Sequence, residues 1–180
     1  FGVLKYADSP NFEMLLFSYA LDDGDVQIID IAGGEELPEE IIQVIKSDTV
    51  VKTAYNAQFE RVCLSRYLKL PEGEYLNPQS WYCTAVQAAE LALPLSLADV
   101  GSVLGLERQK MTEGKELIKY FCVPCKPTKS NGNRTRNRPC HDINKWETFK
   151  KYCMRDVDVE RQIADKLKMY PISDEEHRLY

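Results

Sequence analysis

Two residues of a predicted late helix, Tyr152 and Asp156, have the types and the spacing of a site that positions water or a cation. Residues four apart on an α-helix project from the same side, and the helical pattern runs from about 143 to 167. The carboxylate would lie near the packed face, where a charge is costly unless a cation meets it. A hydrogen-bonded tyrosine and a solvated aspartate are the simpler explanation of this pair alone.

A second group of chemically capable side chains surrounds Asn56, where a predicted strand gives way to a helix. Side chains at such a junction can project into the crevice beyond the carboxyl end of the strand. Phe59 and Glu60 follow in the first helical turn. Because the helix dipole also stabilises an acid there, a purely structural role for Glu60 remains an alternative.

The elements that must position these groups follow from the apolar pattern. Strands are predicted at 12–20, 26–31, 49–55 and 80–83, with the first two forming a hairpin. Helices are predicted at about 38–46, 57–70, 84–91, 96–105, 112–121 and 143–167. Since strands come first and helices dominate later, we predict an α/β fold with a small mixed sheet flanked by helices.

The composition restricts the class of protein. The 180 residues are enough for one domain, and the net charge of −5 gives no overall positive field that would indicate nucleic acid. No apolar run reaches the length of a membrane span, and no signal peptide is visible. The six cysteines are irregularly spaced, which is typical of reduced thiols. We therefore expect a cytoplasmic protein with no membrane partner.

Residues 123–142 show no periodic apolar pattern and are predicted to form a long loop. The loop carries five basic side chains in an otherwise acidic chain: Lys126, Lys129, Arg134, Arg136 and Arg138. Such a loop can hold a nucleic-acid backbone in a salt-sensitive manner, and a solvated flexible loop is the alternative. Cys122, Cys125, Cys140 and His141 have the residue types of a zinc site, but adjacent residues rarely both ligate one tetrahedral ion, so zinc is less favoured.

Taken together, the two acidic motifs resemble those of the DnaQ-like 3′–5′ exonucleases. Asn56, Phe59 and Glu60 match the second motif of that family, with glutamate replacing the usual aspartate, and Tyr152 and Asp156 match the third. The likeness is greatest to the exonuclease region of bacteriophage-type family A DNA polymerases and spans nearly the whole chain. It is carried by residues 6–13, 56–61, 124–129 and 134–137.

This resemblance implies an RNase H-like sheet flanked by helices over residues 1–172, with 173–180 opening a covalently linked polymerase region. The family's first motif, Asp-x-Glu, belongs to the central strand, and no predicted strand here carries it; Asp30 is followed by Ile31 and Ala32. By comparison with the family, that strand would precede Phe1. We therefore expect an N-terminally truncated domain that lacks its central strand, exposes a sheet edge and is inactive alone.

The resemblance also implies two divalent ions, Mg²⁺ or Mn²⁺, and the single-stranded 3′ end of DNA as substrate. Asp156 and Glu60 would serve the ions, Tyr152 would orient the attacking water, and Asn56 and Phe59 would hold the terminal nucleotide. The five basic loop residues would contact DNA. Two other functions remain open: a non-catalytic DNA-binding or scaffolding module of a polymerase, and an RNA-directed exonuclease, against which the polymerase-like stretches argue.

Overall fold

A computed structural model describes residues 2–106 and 113–179. The chain divides into two compact units. The first comprises Phe1–Met14, Leu37–Arg108 and Val157–Tyr180, and the second comprises Leu15–Glu36 and Gln109–Asp156. In chain order the elements are α1 (Val3–Ala7), β1 (Phe17–Tyr19), β2 (Gln27–Ile29), α2 (Glu39–Lys46), β3 (Lys52–Ala54), α3 (Ala57–Tyr67), β4 (Trp81–Cys83), α4 (Thr84–Glu90), α5 (Leu97–Val103), α6 (Glu113–Cys122), α7 (Ile143–Leu167) and α8 (Asp174–Leu179). The predicted α/β class is confirmed, whereas the RNase H-like arrangement stays a prediction.

The second unit contains the predicted hairpin. Strands β1 and β2 pair antiparallel, with Phe17 opposite Ile29 and Tyr19 opposite Gln27. Both strands are shorter than predicted, although the Ala32 amide still donates to the Leu15 carbonyl at 3.0 Å beyond the ladder. The sequence pattern predicted this hairpin because a polar turn separates two apolar runs.

The first unit contains a two-stranded parallel sheet. Strand β3 pairs with β4, with Lys52 opposite Trp81 and Ala54 opposite Cys83. Parallel strands need a crossover connection, and α3 lies within it and contacts both strands. Because both strands end at the same edge, the start of α3 and the start of α4 lie at that edge. The sheet therefore places Asn56, which follows β3, and Thr84, which follows β4, on one side of the unit.

Each unit has its own apolar core. In the second unit the buried side chains are Leu117, Phe121, Trp146 and Phe149. In the first they are chiefly Ala88, Val100, Val159, Ile163 and Leu167. Helix α7 contributes residues 143–156 to the second unit and 157–167 to the first.

The sequence pattern predicted the bounds of α7 but only some of its buried side chains. The apolar spacing predicts a buried face made of Trp146, Phe149, Cys153, Val157, Ala164 and Leu167. Trp146, Phe149 and Leu167 are buried, but Cys153, Val157 and Ala164 are half-buried. The most deeply buried residue of the helix is Ile163, which was not in the predicted set. Of the predicted helix 112–121, Thr112 lies outside the described residues. No helix in the described part of the chain is both long and apolar enough to cross a membrane.

Candidate functional site

Asn56 forms the junction between β3 and α3. Its backbone is left-handed, with φ 72° and ψ 51°, and its carbonyl accepts a hydrogen bond from the Phe59 amide at 2.8 Å. Asparagine adopts this conformation more readily than most residues. Its side chain is exposed and does not cap the helix. The residue type thus suits the turn, and the amide group projects at the edge where β3 ends.

Glu60 lies in the first turn of α3 and is the most perturbed carboxyl group of the first unit. Burial raises its pKa from 4.5 to about 7; a backbone hydrogen bond opposes the shift and the neighbouring charge of Glu160 adds to it. Its Oε2 atom is buried and has no hydrogen-bond partner among the described residues. The stabilisation expected at a helix start is therefore outweighed by burial, and the carboxyl group is left with an unused oxygen.

Glu160, on α7, faces the same place and was missed by sequence reasoning. Its side chain is 6% exposed, and its carboxylate accepts a hydrogen bond from the Thr84 hydroxyl at 2.5 Å. Burial raises its pKa, while the Thr84 hydrogen bond and then Arg161 lower it. The sequence offered one clue to the burial of Glu160, which is that it directly follows the apolar residue Val159 on α7.

Half-buried Glu60 and buried Glu160 are electrostatic neighbours near the edge where β3 and β4 end. Like charges at short range disfavour ionisation of both, unless a cation lies between them. Oxygen ligands of this kind are what Mg²⁺ and Mn²⁺ prefer. The fit is partial, because no group of three or more His, Cys, Asp or Glu side chains in residues 2–106 and 113–179 could hold a metal ion.

Tyr152 and Asp156 lie on α7 within the second unit, and both are half-buried. The Tyr152 ring stacks on Phe149, with centroids 6.4 Å apart, and covers Gly114 of α6 so closely that a Cβ atom there would overlap the ring. The charge of Asp156 adds to burial in raising the pKa of Cys153 to about 12. The ring of the candidate water-orienting residue is thus held by packing on two sides.

The predicted site residues fall into two groups. Asn56, Phe59 and Glu60 belong to the first unit, where the structure adds Glu160 beside Glu60. Tyr152 and Asp156 belong to the second. The convergence of Glu60 with Tyr152 and Asp156 therefore stays a prediction.

The strand-borne Asp-x-Glu motif is absent from the described strands, none of which contains an acidic residue. The sequence Asp-x-Glu does occur at 158–160 and 174–176, but these residues belong to helices α7 and α8. Alternate residues point to the same face only in a strand. On α7, accordingly, Asp158 is exposed while Glu160 is buried, so this triplet cannot place two acids on one ion.

The basic loop is held by its own polar contacts. The Cys125 amide donates to the Thr135 carbonyl at 2.8 Å, and the Asn137 amide group donates to the Tyr120 carbonyl at 2.9 Å. Arg134 donates to Asn137 at 2.8 Å, so this arginine helps to hold the loop. The side chains of Lys126, Lys129 and Arg138 are exposed, whereas Arg134 and Arg136 are half-buried. The exposed three are the better placed to meet phosphates.

Two of the four possible zinc ligands, Cys125 and His141, have hydrogen-bond partners in the loop. The Cys125 thiol donates to the Arg134 carbonyl at 3.4 Å, and the His141 Nδ1 atom accepts from the Arg138 amide at 2.8 Å. Burial raises the pKa of Cys122, and nearby Arg136 lowers it. These contacts account for the residues as parts of the loop framework.

Comparison with known proteins finds one informative relative. The chain is 50% identical over 179 residues to a DNA polymerase of Bacillus phage SP02. The match covers 99% of this chain and 27% of the relative, so the chain spans about a quarter of that polymerase. No family model matches, and no solved structure matches. The similarity agrees with the polymerase-like motifs and leaves the exonuclease assignment as a prediction.

Proposed function

We propose that this chain is the 3′–5′ exonuclease region of a DNA polymerase and acts on the single-stranded 3′ end of DNA. The observation that supports this most is Glu60, a half-buried acid whose buried Oε2 atom has no partner among the described residues. Burying such a group costs stability, which points to a functional reason for it. Glu60 directly follows Phe59 in the segment that resembles the second exonuclease motif. The charge of Glu160 contributes to raising its pKa.

Each side chain has a defined task in this proposal. Glu60 and Asp156 hold the divalent ions, Mg²⁺ or Mn²⁺. When bound, two such ions supply an activated water and neutralise charge on the attacking and leaving oxygens. Tyr152, whose ring is fixed between Phe149 and Gly114, orients the attacking water through its hydroxyl group. Asn56 and the 38% exposed ring of Phe59 hold the terminal nucleotide.

The described residues supply only part of a metal-ligand set. We propose that an Asp-x-Glu strand from outside these 180 residues completes it, and that the 180 residues alone are inactive. The exposed side chains of Lys126, Lys129 and Arg138, with Arg134 and Arg136 beside them, contact the DNA backbone. Replacing these contacts weakens DNA binding mostly at low salt.

The decisive experiment replaces Asp156 by alanine in the full-length protein. With a 3′-labelled single strand and Mg²⁺ or Mn²⁺, we expect release of labelled mononucleotide to fall at least about a thousandfold, because a ligand that stabilises transition-state charge is lost. Asp158→Ala is the matched control, since Asp158 is exposed on the same helix and accepts a hydrogen bond from the Gln162 side chain at 3.1 Å. Near-wild-type release by Asp156→Ala contradicts the proposal.

A second function, a DNA-binding module without catalysis, is favoured by the glutamate at position 60 where the resembling family has aspartate. The same assay separates the two. A module of this kind binds the labelled strand but releases no mononucleotide in either metal, and its binding is unchanged by Asp156→Ala.

A further inference from the structure

The first unit carries an aromatic surface formed by Tyr6 of α1 and Phe59 of α3, which we call the aromatic platform. The two rings stack with centroids 5.6 Å apart and planes at 29°. The Phe12 ring meets the Tyr6 ring edge-on, with centroids 5.7 Å apart. Tyr6 is 46% exposed and Phe59 is 38% exposed, so both rings keep a large area in contact with solvent.

We propose that the aromatic platform stacks a nucleobase near the 3′ end of the single strand, which makes Tyr6 a further substrate-binding residue. This inference rests on the proposed function. The occupant follows from the chemistry of the surface: every base offers a π-face, and stacking on exposed aromatic rings holds single strands regardless of sequence. Lys5, exposed and next to Tyr6, adds a positive charge that complements the phosphates of such a strand.

The position of the platform ties it to the candidate site. Phe59 precedes Glu60 directly in the first turn of α3, and Asn56 occupies the N-cap position of the same helix. A base that stacks on the exposed part of this ring pair would lie near Glu60 and would belong to the terminal nucleotide or to one next to it. The resemblance assigned that nucleotide to Asn56 and Phe59, and Tyr6 adds exposed ring surface beside Phe59.

Tyr6 is also held firmly enough to serve as a binding surface. Ala7, the next residue of α1, is 3% exposed and packs with Val62 and Cys63. Just beyond the helix, Asp8 forms an ion pair with Arg66 at 2.8 Å. These contacts fix the side of α1 from which Tyr6 projects, so little ordering of the ring remains to be lost on binding.

A structural alternative is that Tyr6 and Phe59 only hold α1 against α3. That alternative predicts that replacing Tyr6 lowers stability and affects all DNA substrates equally. Stacking predicts an effect that depends on the presence of a base. The two are separated by comparing ordinary single strands with strands that carry abasic nucleotides at the 3′ end.

The test measures excision and DNA binding by the full-length protein with Tyr6→Ala, Tyr6→Leu and Tyr6→Phe. We expect Tyr6→Ala and Tyr6→Leu to raise KM and Kd for an ordinary strand about tenfold, with a smaller change in kcat. Tyr6→Phe, which keeps the ring, recovers most of the loss. On strands with abasic 3′ nucleotides, the difference between wild type and Tyr6→Ala shrinks to less than about twofold.

Leu4→Ala is the matched control, because Leu4 lies on the same short helix and is 47% exposed but is not part of the ring stack. Thermal unfolding of each variant monitors folding. Equal losses on ordinary and abasic strands, or an unchanged KM for Tyr6→Ala, overturn the platform even if wild-type excision is robust. If the wild type shows no excision, the proposed function fails, and the Kd comparison alone decides for or against the platform.

Discussion

Asp30 of the second unit and Glu60 of the first are both carboxyl groups removed from full solvent exposure, yet their surroundings are opposite. The Asp30 carboxylate accepts hydrogen bonds from the Trp146 indole at 2.7 Å and from the Gly33 amide at 2.8 Å, and Lys150 lies 3.7 Å away. Glu60 has a buried oxygen without a partner among the described residues and a second acid as its electrostatic neighbour.

The comparison distinguishes Asp30, a carboxylate that stabilises the fold, from Glu60, a carboxylate whose burial is unfavourable. Asp30 joins β2, the following turn and α7 through satisfied contacts, which is how a buried charge stabilises structure. Glu60 has a backbone hydrogen bond, but its Oε2 atom has no partner among the described residues, and the charge of Glu160 adds to the cost of burying it. Under the proposed function Glu60 is a metal ligand, so substitutions of the two residues are expected to act on different properties.

Between these two acids, the largest effect is expected on excision by Glu60→Gln in the full-length protein. The amide keeps the size of the side chain but is a poor ligand for a hard cation, so we expect the rate to fall at least about a hundredfold. Asp30→Asn, measured in the same assay at a temperature where both variants are folded, is expected to stay within about threefold of wild type. Equal losses from both substitutions would erase the functional distinction between the two acids.

The next largest effect is on the free energy of unfolding, where the substitution of Asp30 is expected to matter more than that of Glu60. Asp30→Ala leaves the Trp146 indole and the Gly33 amide without their acceptor, which is expected to lower the free energy of unfolding by about 2–3 kcal/mol. Glu60→Gln removes a charge whose burial is unfavourable and is expected to leave the free energy of unfolding unchanged or higher at pH 8. Urea denaturation of both variants measures this, and a stability loss confined to Glu60→Gln would reverse the assignment.

The pH dependence of stability offers a third test. Because the pKa of Glu60 is raised from 4.5 to about 7 in the folded state, the folded state binds more protons between those values. The free energy of unfolding therefore falls as pH rises from about 4.5 to 7, by up to about 3 kcal/mol. Urea titrations of wild type and Glu60→Gln in a chelating buffer measure it, and the variant is expected to show a shallower fall. A slope identical in the two proteins would show that Glu60 titrates normally.

The smallest effect is expected from Thr84→Val, which removes the hydroxyl that donates to Glu160. Without this donor the pKa of Glu160 rises further, and the free energy of unfolding at pH 8 is expected to fall by about 1–2 kcal/mol. Thr148→Val is a suitable control, since that hydroxyl bonds only the Asn144 carbonyl of its own helix in the described structure. No difference between the two variants would indicate that the Glu160 contact contributes little.

Local patterns in the sequence predicted much of the fold. The helix 143–167 was predicted with the bounds of α7, and the helix begun by Ser96 is α5, where the Ser96 hydroxyl accepts from the Asp99 amide at 3.1 Å. These features depend on residues close together in the chain. Helix α1 was not predicted, because five residues carry too little periodicity to be recognised.

The candidate site was less predictable for the same physical reason. Asn56, Phe59 and Glu60 stand out by their spacing and their likeness to a known motif. Glu160 and Tyr6 acquire meaning only through partners 76 and 53 residues away, Thr84 and Phe59. Which acid becomes buried, and which ring faces another, is decided by tertiary packing that no local window contains.

Gly114 is a position at which this chain is expected to accept no substitution. Because the Tyr152 ring occupies the space where any other residue would put its first side-chain carbon, every codon change at this position that adds a side chain must displace that ring. A library randomised at codon 114 and selected for intact nuclease action should return glycine alone. At Gly2, where added bulk meets open space, the same selection should accept a broad range of residues.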